Sequence, residues 1–515
     1  MLKIFILFAS LASLACASPL YVHERRSEPP SNYTDLGPAP ADHTLTLRLA
    51  LVPNNMDGLH EKLYEISTPS SPTYRQWLSK EEVEVFVAPS SETSSNVKNW
   101  LSSNGISYET VSPAGDWLSI DVTVARANTL LGAQFSTFKH KETSAQIVRT
   151  PSYSIPASLK GHLDFVHPTI AFPMKPKGGP HLISKLSTLP KVKRNNLAGE
   201  APSSCDNSFT PSCAQELYGI PTTFATHVTN QLDVSAFENE YASQSDLELF
   251  LQAYRPDLEG KVFAVEFLDG GENIQSSPGL EANLDTQYTV GIASNVTVNF
   301  VSVGNENVDD LDGFLDIVNL FLIQNPTPHV FTTSYQWSEY QVPFSLANTL
   351  CNAYAQLENV NPEIAASFSS GGFSNYFARP SYQTDAVNSY FAQLGSEYAG
   401  LYNASGRGIP DISAAGYNYV IAWFGAFDLV YGTSCSSPLF ASIVALLDDE
   451  LAGRGQPPLG FLNPLIYSTP QAFNDITAGS NPGCGTEGFP ALPGWDPVTG
   501  IGSPIYSALR TAAGL

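Results

Sequence analysis

Histidine is scarce in the C-terminal part of this 515-residue chain: after position 205 it occurs only at His227 and His329. A serine hydroxyl needs a base before it can attack a carbonyl carbon, and histidine is the base that proteins use most often. The scarcity of histidine therefore favours a different base for a nucleophilic serine in this region. A pair of carboxylates is the candidate.

Basic residues are also few. Lys and Arg number 25 against 49 Asp and Glu, which gives a net charge of -24 and a pI of about 4.6. A chain this acidic is repelled by phosphate backbones, so a nucleic-acid partner is not expected. Protonation of carboxylates relieves the self-repulsion of an anionic surface, so we expect a low-pH working environment.

No stretch beyond the N-terminus is long and apolar enough to span a bilayer, so no membrane association is expected. The N-terminus itself carries Lys3, a short apolar run at 4–14, and the small-x-small sequence Ala-Cys-Ala at 15–17. This pattern predicts a secretory signal peptide over residues 1–17, a mature chain that begins at Ser18, and a secreted, extracellular protein. A buried N-terminal helix is the alternative.

Cysteine is rare, and the mature chain has an odd number of five, at Cys205, Cys213, Cys351, Cys435 and Cys484. At least one thiol is therefore unpaired or lacks its partner. Cys205 and Cys213 are close in sequence and form the favoured pair. The sequons that begin at Asn32, Asn295 and Asn403 predict a glycoprotein, as suits a secreted chain.

The sequence divides into two folded regions and a linker. Residues 18–172 mix alternating stretches (44–51 and 117–124) with helical ones (56–66 and 91–104), which predicts a compact α+β domain. Residues 173–199 contain no acidic residue but several Lys, Pro and Gly, so they predict an exposed basic linker, with a cut point at 191–194 or simply a solvated connection.

Residues 200–515 read as an α/β domain with a mostly parallel sheet. Apolar strands at 261–265 and 329–334 alternate with helical segments at 309–323 and 439–451. An acidic domain joined through a cleavable basic linker to an N-terminal domain indicates a zymogen.

Two segments in this domain have the residue types of a nucleophilic site. Ser434 follows a glycine and precedes an apolar helical stretch, where helix N–H groups favour developing negative charge. Glu281 and Asp285 are four residues apart, so a helix places both on one face. A glutamate stays ionised in acidic medium, where a histidine is protonated. The alternatives are a serine that caps a helix and an acidic pair on a solvated helix face.

A third set lies near the C-terminus. Asp475 and Asp496, with backbone carbonyls from glycine-rich loops, could form an oxygen cage for a hard cation such as Ca²⁺. Two Asx turns that need no metal are the alternative, and the residues alone favour it.

Taken together, these motifs resemble the sedolisin family of serine-carboxyl peptidases, in particular its fungal tripeptidyl-peptidase branch. The resemblance rests on YRQWL at 74–78, EANLDTQY at 281–288 and GTS at 432–434. It implies a subtilisin-like peptidase domain behind an activation prodomain.

The resemblance also implies roles for individual residues. Ser434 would be the nucleophile, Glu281 its base and Asp285 the partner of that base. One Ca²⁺ would be held by Asp475 and Asp496 and by backbone carbonyls of Ile476, Leu492 and Gly494.

The chain departs from the family pattern at one junction. A Ser-Gly-Asp segment whose aspartate helps to form the oxyanion hole is absent, and Leu357 runs directly into Glu358. Several tens of residues, including core strands and one or more cysteines, are missing by comparison with the family. The candidate explanations are a skipped exon in the gene model, a splice form and a genuine non-catalytic relative, and the intact triad, calcium positions and prodomain favour the first two.

The resemblance implies a secreted, monomeric, acid-acting peptidase that releases tripeptides and whose partners are peptide or protein substrates and its own prodomain. The alternative is a catalytically dead secreted homologue that binds peptides.

Overall fold

The computed structural model describes the chain in segments, at residues 19–172, 180–185, 205, 208–307, 313–325, 327–335, 339, 342–354 and 368–515. Four features predicted from the sequence lie outside the described residues. They are the signal peptide at 1–17, most of the linker with its cut point, the junction between Leu357 and Glu358, and the side chain of Cys351.

The described elements are numbered in chain order. The strands are β1 Leu20–Arg25, β2 Tyr33–Pro38, β3 Thr44–Leu51, β4 Glu109–Thr110, β5 Trp117–Thr123, β6 Ser136–His140, β7 Gln146–Arg149, β8 Ser152–Pro156, β9 Leu163–His167, β10 His181–Lys185, β11 Gln231–Ala236, β12 Ala264–Leu268, β13 Thr297–Val303, β14 Val330–Thr332, β15 Gly372–Ala378, β16 Gly406–Ile409, β17 Tyr419–Trp423, β18 Ala426–Tyr431, β19 Phe473–Asn474 and β20 Ser503–Pro504. The α-helices are α1 Met56–Ser67, α2 Lys80–Val87, α3 Ser91–Ser103, α4 Val124–Leu130, α5 Pro211–Tyr218, α6 Gln244–Tyr254, α7 Leu280–Ile292, α8 Phe314–Ile323, α9 Phe344–Tyr354, α10 Thr384–Leu394, α11 Ser436–Gly453, α12 Asn463–Ser468 and α13 Tyr506–Ala512.

The chain forms two compact units, each described here by itself. The first unit comprises residues 1–52, 89–111 and 115–170, and the second comprises 53–88, 112–114 and 171–515. Antiparallel sheets with the strand orders β4-β5-β3-β9, β2-β6-β7 and β1-β8 build the first unit. Its core includes Leu47 and Leu49 of β3 and Val97 and Leu101 of α3, all buried, as the alternating and helical patterns predict.

The second unit contains a four-stranded parallel sheet in the order β12-β13-β11-β14. A three-stranded antiparallel sheet, β10-β18-β17, leads toward the predicted nucleophile. Helix α7 is buried along almost its whole length and packs against α11, α6 and α5. The α/β class of this region is confirmed, and the predicted strands and helices form, where they are described, with shifts of a few residues at their ends.

One segment of the predicted prodomain makes its contacts in the second unit. Residues 53–88, which hold α1 and α2, are grouped there. The Trp77 indole N–H donates to the Pro458 carbonyl at 2.8 Å, and Tyr64 makes an edge contact with Tyr382. The ring of Trp77 lies so close to Gly460 that a Cβ there would be 2.4 Å from it.

Part of the predicted linker is also ordered into a strand. Residues 181–185 form β10, which pairs antiparallel with β18, so that His181 lies opposite Tyr431. The sequence did not predict this strand, which forms because β18 offers backbone groups that β10 satisfies, and the side chains of His181 and Leu182 remain exposed. The predicted cut point at 191–194 lies outside the described residues.

The cysteines agree with the sequence where they are described. Cys205 and Cys213 form a disulfide, and Cys435 is a buried free thiol while Cys484 is an exposed one. Within the described ranges, no helix combines the length and apolarity needed to cross a membrane.

Candidate active site

The two acidic residues of the 281–288 motif lie on one face of α7, as their spacing predicts. Glu281 stands in the first turn of the helix and Asp285 one turn later, and both side chains are buried. The alternative of an acidic pair on a solvated helix face is therefore wrong. Two carboxyls this close and this dry cannot both carry a charge without a large cost, so the site is built to hold at least one proton.

Ser434 lies in a short 3-10 turn, Thr433–Cys435, between β18 and α11. Its hydroxyl donates to Glu281 Oε2 at 2.9 Å. Helix α11 begins two residues later, and no side chain caps it. The alternative in which Ser434 serves as a helix cap is therefore wrong, because its hydroxyl is directed at a carboxyl group from a residue 153 positions away.

Asp285 is held by a second hydroxyl, that of Ser334. The Ser334 hydroxyl, two residues beyond the end of β14, donates to Asp285 Oδ1 at 3.0 Å. Glu281 Oε1 and Asp285 Oδ2 are buried and have no hydrogen-bond partner among the described residues. A proton on either of these two oxygens would satisfy both if they face each other, as their positions one helix turn apart allow.

The electrostatics of the pair follow from its burial. Loss of solvent raises the pKa of Glu281 well above its usual value, and the neighbouring Asp285 charge raises it further, while the Ser434 hydrogen bond opposes both effects. Burial also raises the pKa of Asp285, and the hydrogen bond from Ser334 lowers it. The pKa values of both carboxyls are therefore raised, and the pair titrates as a unit.

Glu240 is a third carboxyl at this site that the sequence did not point out. Its Oε2 accepts hydrogen bonds from the backbone N–H of Glu281 at 3.1 Å and of Ala282 at 3.4 Å, so it caps the N-terminus of α7. Its charge also raises the pKa of both Glu281 and Asp285. Its position shortly after β11 could have indicated it, because ligand sites in open α/β sheets lie beyond the carboxyl ends of the strands.

The predicted cation ligands lie in one loop cluster near the C-terminus. Asp475 Oδ2 accepts from the Gly494 N–H at 2.8 Å, and Asp496 Oδ2 accepts from the Leu492 N–H at 3.1 Å. The Thr499 hydroxyl lies 3.4 Å from the Ile476 carbonyl oxygen. These contacts bring together all five of the predicted residues.

The chemistry of this cluster fits a hard divalent cation. Asp496 is fully buried, burial raises its pKa to about 7, and its charge has no ion-pair partner among the described residues. Asp496 also accepts from the N–H groups of Val498 and Thr499, as in the Asx-turn alternative. The described residues contain no group of three or more His, Cys, Asp or Glu that could hold a metal, so backbone carbonyls would have to complete the shell.

A serine hydroxyl that donates to a buried carboxyl pair, with no histidine among its described hydrogen-bond partners, is typical of a serine-carboxyl type of hydrolase site. Comparisons with known proteins agree. Residues 31–172 match the pro-kumamolisin activation domain. Tripeptidyl-peptidase SED2 of Arthroderma otae is 32% identical over 587 residues, covering 97% of this chain and 98% of the relative. Tripeptidyl-peptidase SED3 of the same organism is 31% identical over 98% of each chain.

The chain belongs to the sedolisin family of serine-type peptidases. A solved structure of Pseudomonas sedolisin, a serine-carboxyl proteinase, matches with a TM-score of 0.43 and 17% identity over 59% of this chain and 97% of that one. The alignment with SED2 runs over 587 residues, more than the 515 of this chain, so the relative carries residues that have no counterpart here.

Proposed function

We propose that the chain is a secreted zymogen of an acid-acting peptidase that releases tripeptides from free N-termini. The observation that carries the proposal is the 2.9 Å hydrogen bond from the Ser434 hydroxyl to Glu281 in a buried carboxyl pair. The names of the relatives, which are tripeptidyl-peptidases, support the choice of substrate class. The match of residues 31–172 to an activation domain supports synthesis as a proenzyme.

In the proposed mechanism, Ser434 attacks the carbonyl carbon of the scissile bond while Glu281 takes its proton. Glu281 later returns that proton to the leaving amine, and Asp285 stabilises Glu281 in both protonation states. An acyl-enzyme on Ser434 is then hydrolysed by water with the same proton exchange. The chemistry requires that Glu281 is free to accept a proton, so the site stops working when the pair becomes fully protonated at low pH.

Acid function also suits the rest of the domain. Burial raises the pKa of Asp233 to about 6 and that of Asp448 to about 7. Carboxyls of this kind are neutral at acidic pH. At neutral pH they ionise inside the dry interior of the protein, which lowers the free energy of unfolding. A fold with such groups is better suited to acid than to neutral pH.

Calcium is part of the proposal. The carboxylates of Asp475 and Asp496 and the backbone carbonyls of Ile476, Leu492 and Gly494 would hold one ion. A bound Ca²⁺ would neutralise the buried Asp496 charge and tie together the loops from 474 to 502. It would supply structural support and no step of the reaction.

Secretion, glycosylation and a monomeric state belong to the same proposal. The sequon residue Asn295 is exposed, although its amide donates to the Ala225 carbonyl at 2.9 Å. A signal peptide over residues 1–17 would direct the chain to the compartment where such sequons are modified.

A second candidate is a non-catalytic peptide-binding homologue, and the longer SED2 alignment is the observation that favours it. Loss of an oxyanion donor raises the barrier by about 2.7–4 kcal/mol, so the 515-residue form should hydrolyse peptides about 10²–10³ times more slowly than a form that carries the segment. Sequencing the transcript across Leu357 and Glu358 separates the two. An in-frame insert that carries Ser-Gly-Asp supports the peptidase, and a transcript without it supports the binding protein.

The direct test is an assay of the acid-processed chain on a peptide with a free N-terminus and on its N-acetylated form. We expect slow release of the N-terminal tripeptide from the free peptide alone, and no release by the Ser434→Ala variant. Equal cleavage of both peptides would overturn the tripeptidyl assignment, and cleavage by Ser434→Ala would overturn the nucleophile.

A further inference from the structure

Ser334 is a polar side chain at the site to which neither the sequence motifs nor the proposed mechanism gives a role. It follows β14 at the carboxyl end of the parallel sheet, where that edge meets the start of α11. Its hydroxyl lies 3.0 Å from Asp285 Oδ1 and 3.5 Å from the Ser434 backbone carbonyl oxygen. A hydroxyl donates one hydrogen, and the shorter contact, to a carboxyl group, is the stronger of the two.

This contact gives the two carboxyl oxygens of Asp285 different hydrogen-bonding environments. Oδ1 is occupied by Ser334, whereas Oδ2 is buried and has no partner among the described residues. Glu281 shows the same division in its hydrogen bonds, with Oε2 bound to the Ser434 hydroxyl and Oε1 without a described partner, and the nearby Ser334 hydroxyl also lowers the pKa of Glu281. The two oxygens left over are the ones through which the carboxyls can share a proton.

We propose that Ser334 is a positioning residue of the catalytic pair, whose hydroxyl fixes the Asp285 carboxyl so that its other oxygen is directed to Glu281. The inference rests on the proposed function, because it assigns a task within that same site. Without the hydroxyl, the Asp285 carboxyl is free to rotate and Oδ1 becomes a buried acceptor with no donor. Proton exchange between Asp285 and Glu281 then loses its fixed path.

The charged and titratable groups around the pair set the sign of the effect. Glu240 faces it from the loop after β11, and Tyr335 lies beside Ser334. The Cys435 thiol faces it from the turn before α11. All three are neutral or negative, so Ser334 and the Ser434 hydroxyl are the donors that stabilise negative charge on the pair. Loss of Ser334 therefore raises the pKa of the pair, and the pair becomes fully protonated at a higher pH.

The test compares Ser334→Ala with Ser334→Thr, which keeps the hydroxyl, and with Ser437→Ala as a matched control. The Ser437 hydroxyl shares a hydrogen bond with the Thr332 hydroxyl and donates to the Thr333 carbonyl at the same strand end, and in the described part of the chain it does not hydrogen-bond to either carboxyl. Two readouts are recorded against pH on the full chain after acid processing. One is the rate at which a peptidyl phosphonate labels Ser434, followed by intact mass, and the other is the infrared carboxyl band that Glu281→Gln removes.

In both pH profiles, we expect the midpoint of the acidic limb to move up by about one to two pH units in Ser334→Ala. This is the size of shift that the loss of a hydrogen bond to a charged group implies. Ser334→Thr and Ser437→Ala should keep the midpoint of the unsubstituted chain. A Ser334→Ala midpoint equal to that of Ser437→Ala, or a Ser334→Thr midpoint equal to that of Ser334→Ala, would overturn the inference.

Two further arms keep the test decisive. If Ser334→Ala does not fold, Ser334→Cys, whose thiol is a weak donor, should give a smaller shift in the same direction, and no shift would overturn the inference. If the phosphonate labels neither the unsubstituted chain nor any variant, the labelling result contradicts the proposed function. The infrared midpoint still tests the role of Ser334, because that measurement needs no turnover.

Discussion

Three carboxyl groups and two hydroxyls account for the chemistry of this site at the scale of single residues. Burial favours a proton shared within the pair Glu281 and Asp285, and the Ser434 hydroxyl donates to Glu281. Glu240 holds the helix that carries them. The scarcity of histidine in this part of the chain and the presence of a carboxyl pair are thus two aspects of one arrangement.

The charge of Glu240 can be separated from its hydrogen bonds. The Glu240→Gln variant keeps an oxygen that can cap α7 but removes a charge that raises the pKa of Glu281 and Asp285. We expect the acidic limb of the pH–rate profile to move down, by a few tenths to about one pH unit. The pH dependence of Ser434 labelling by a peptidyl phosphonate measures it.

Glu240→Ala is the matched comparison, since it removes both the charge and the cap. It should also lower the unfolding free energy by about 1 kcal/mol, as loss of a helix cap does. An unchanged or raised midpoint in Glu240→Gln would contradict the electrostatic role given to this residue.

At the scale of elements, the sequence predicted those parts whose placement follows from local pattern. The spacing of Glu281 and Asp285 predicts a helix with both on one face, and α7 has them there. The alternation over 44–51 predicts a strand, and β3 spans the same residues. Local rules of this kind depend on the residue and its near neighbours, which the sequence shows directly.

The sequence did not reveal the features that depend on contacts between distant residues. Glu240 and Ser334 reach the pair only because β11 and β14 end at the same edge of the sheet, and neither residue has a motif of its own. The grouping of 53–88 with the second unit depends on partners near 321, 382 and 456–461, far along the chain. A helical pattern predicts a buried face and does not say what covers it.

The YRQWL segment allows a prediction at this scale. Trp77 donates to Pro458 and its ring covers Gly460, so Trp77→Ala should loosen the packing of residues 53–88. We expect opening of this segment to become easier by about 2–3 kcal/mol, less than for a fully buried tryptophan because Trp77 is half-buried. Limited proteolysis of the unprocessed chain within 53–88 measures the change.

Gln76→Ala is the control for this experiment, because Gln76 is exposed and its amide bonds only within its own turn, to Pro72. Its cleavage rate should match that of the unsubstituted chain. Equal cleavage rates for Trp77→Ala and Gln76→Ala would show that the indole does not hold the segment.

At the scale of the whole molecule, buried carboxyls should make the fold more stable in acid. The folded-state pKa of Asp448 is about 7, above its unfolded value near 3.8. Its contribution to stability is fully present below about pH 3.8 and is lost as the pH rises through about 7, a difference of a few kcal/mol. We expect the Tm to fall by roughly 5 °C or more between pH 4 and pH 7.5.

The Asp448→Asn variant isolates this contribution. An asparagine oxygen can still accept from the Leu459 N–H, which donates to Asp448 Oδ1 at 2.8 Å, but it cannot ionise. The decline of the unfolding free energy with pH should therefore be smaller in Asp448→Asn. A decline as steep as in the unsubstituted chain would contradict the assignment.

Calcium binding at Asp475 and Asp496 should also change the stability of the whole molecule. Metal ligands must be deprotonated, and the pKa of Asp496 is about 7, so binding should strengthen as the pH rises toward neutral. We expect added Ca²⁺ to raise the Tm at pH 7 more than at pH 4, and a chelator to reverse the effect. Differential scanning calorimetry measures both.

Asp475→Asn should lose most of the calcium response, whereas Asp385→Asn, at an exposed position at the start of α10, should keep it. A Tm that does not respond to Ca²⁺ at either pH would show that the two carboxylates form Asx turns without a metal.

The central claim is that the base for Ser434 is Glu281, and one comparison tests it most directly. The rate of Ser434 labelling by a peptidyl phosphonate is measured at the optimum pH in the acid-processed chain, in Glu281→Gln and in the control Ser437→Ala. The account predicts a fall of about 10²–10⁴-fold in Glu281→Gln and no change in Ser437→Ala. Labelling of Ser434 in Glu281→Gln at the rate of the unsubstituted chain would contradict it.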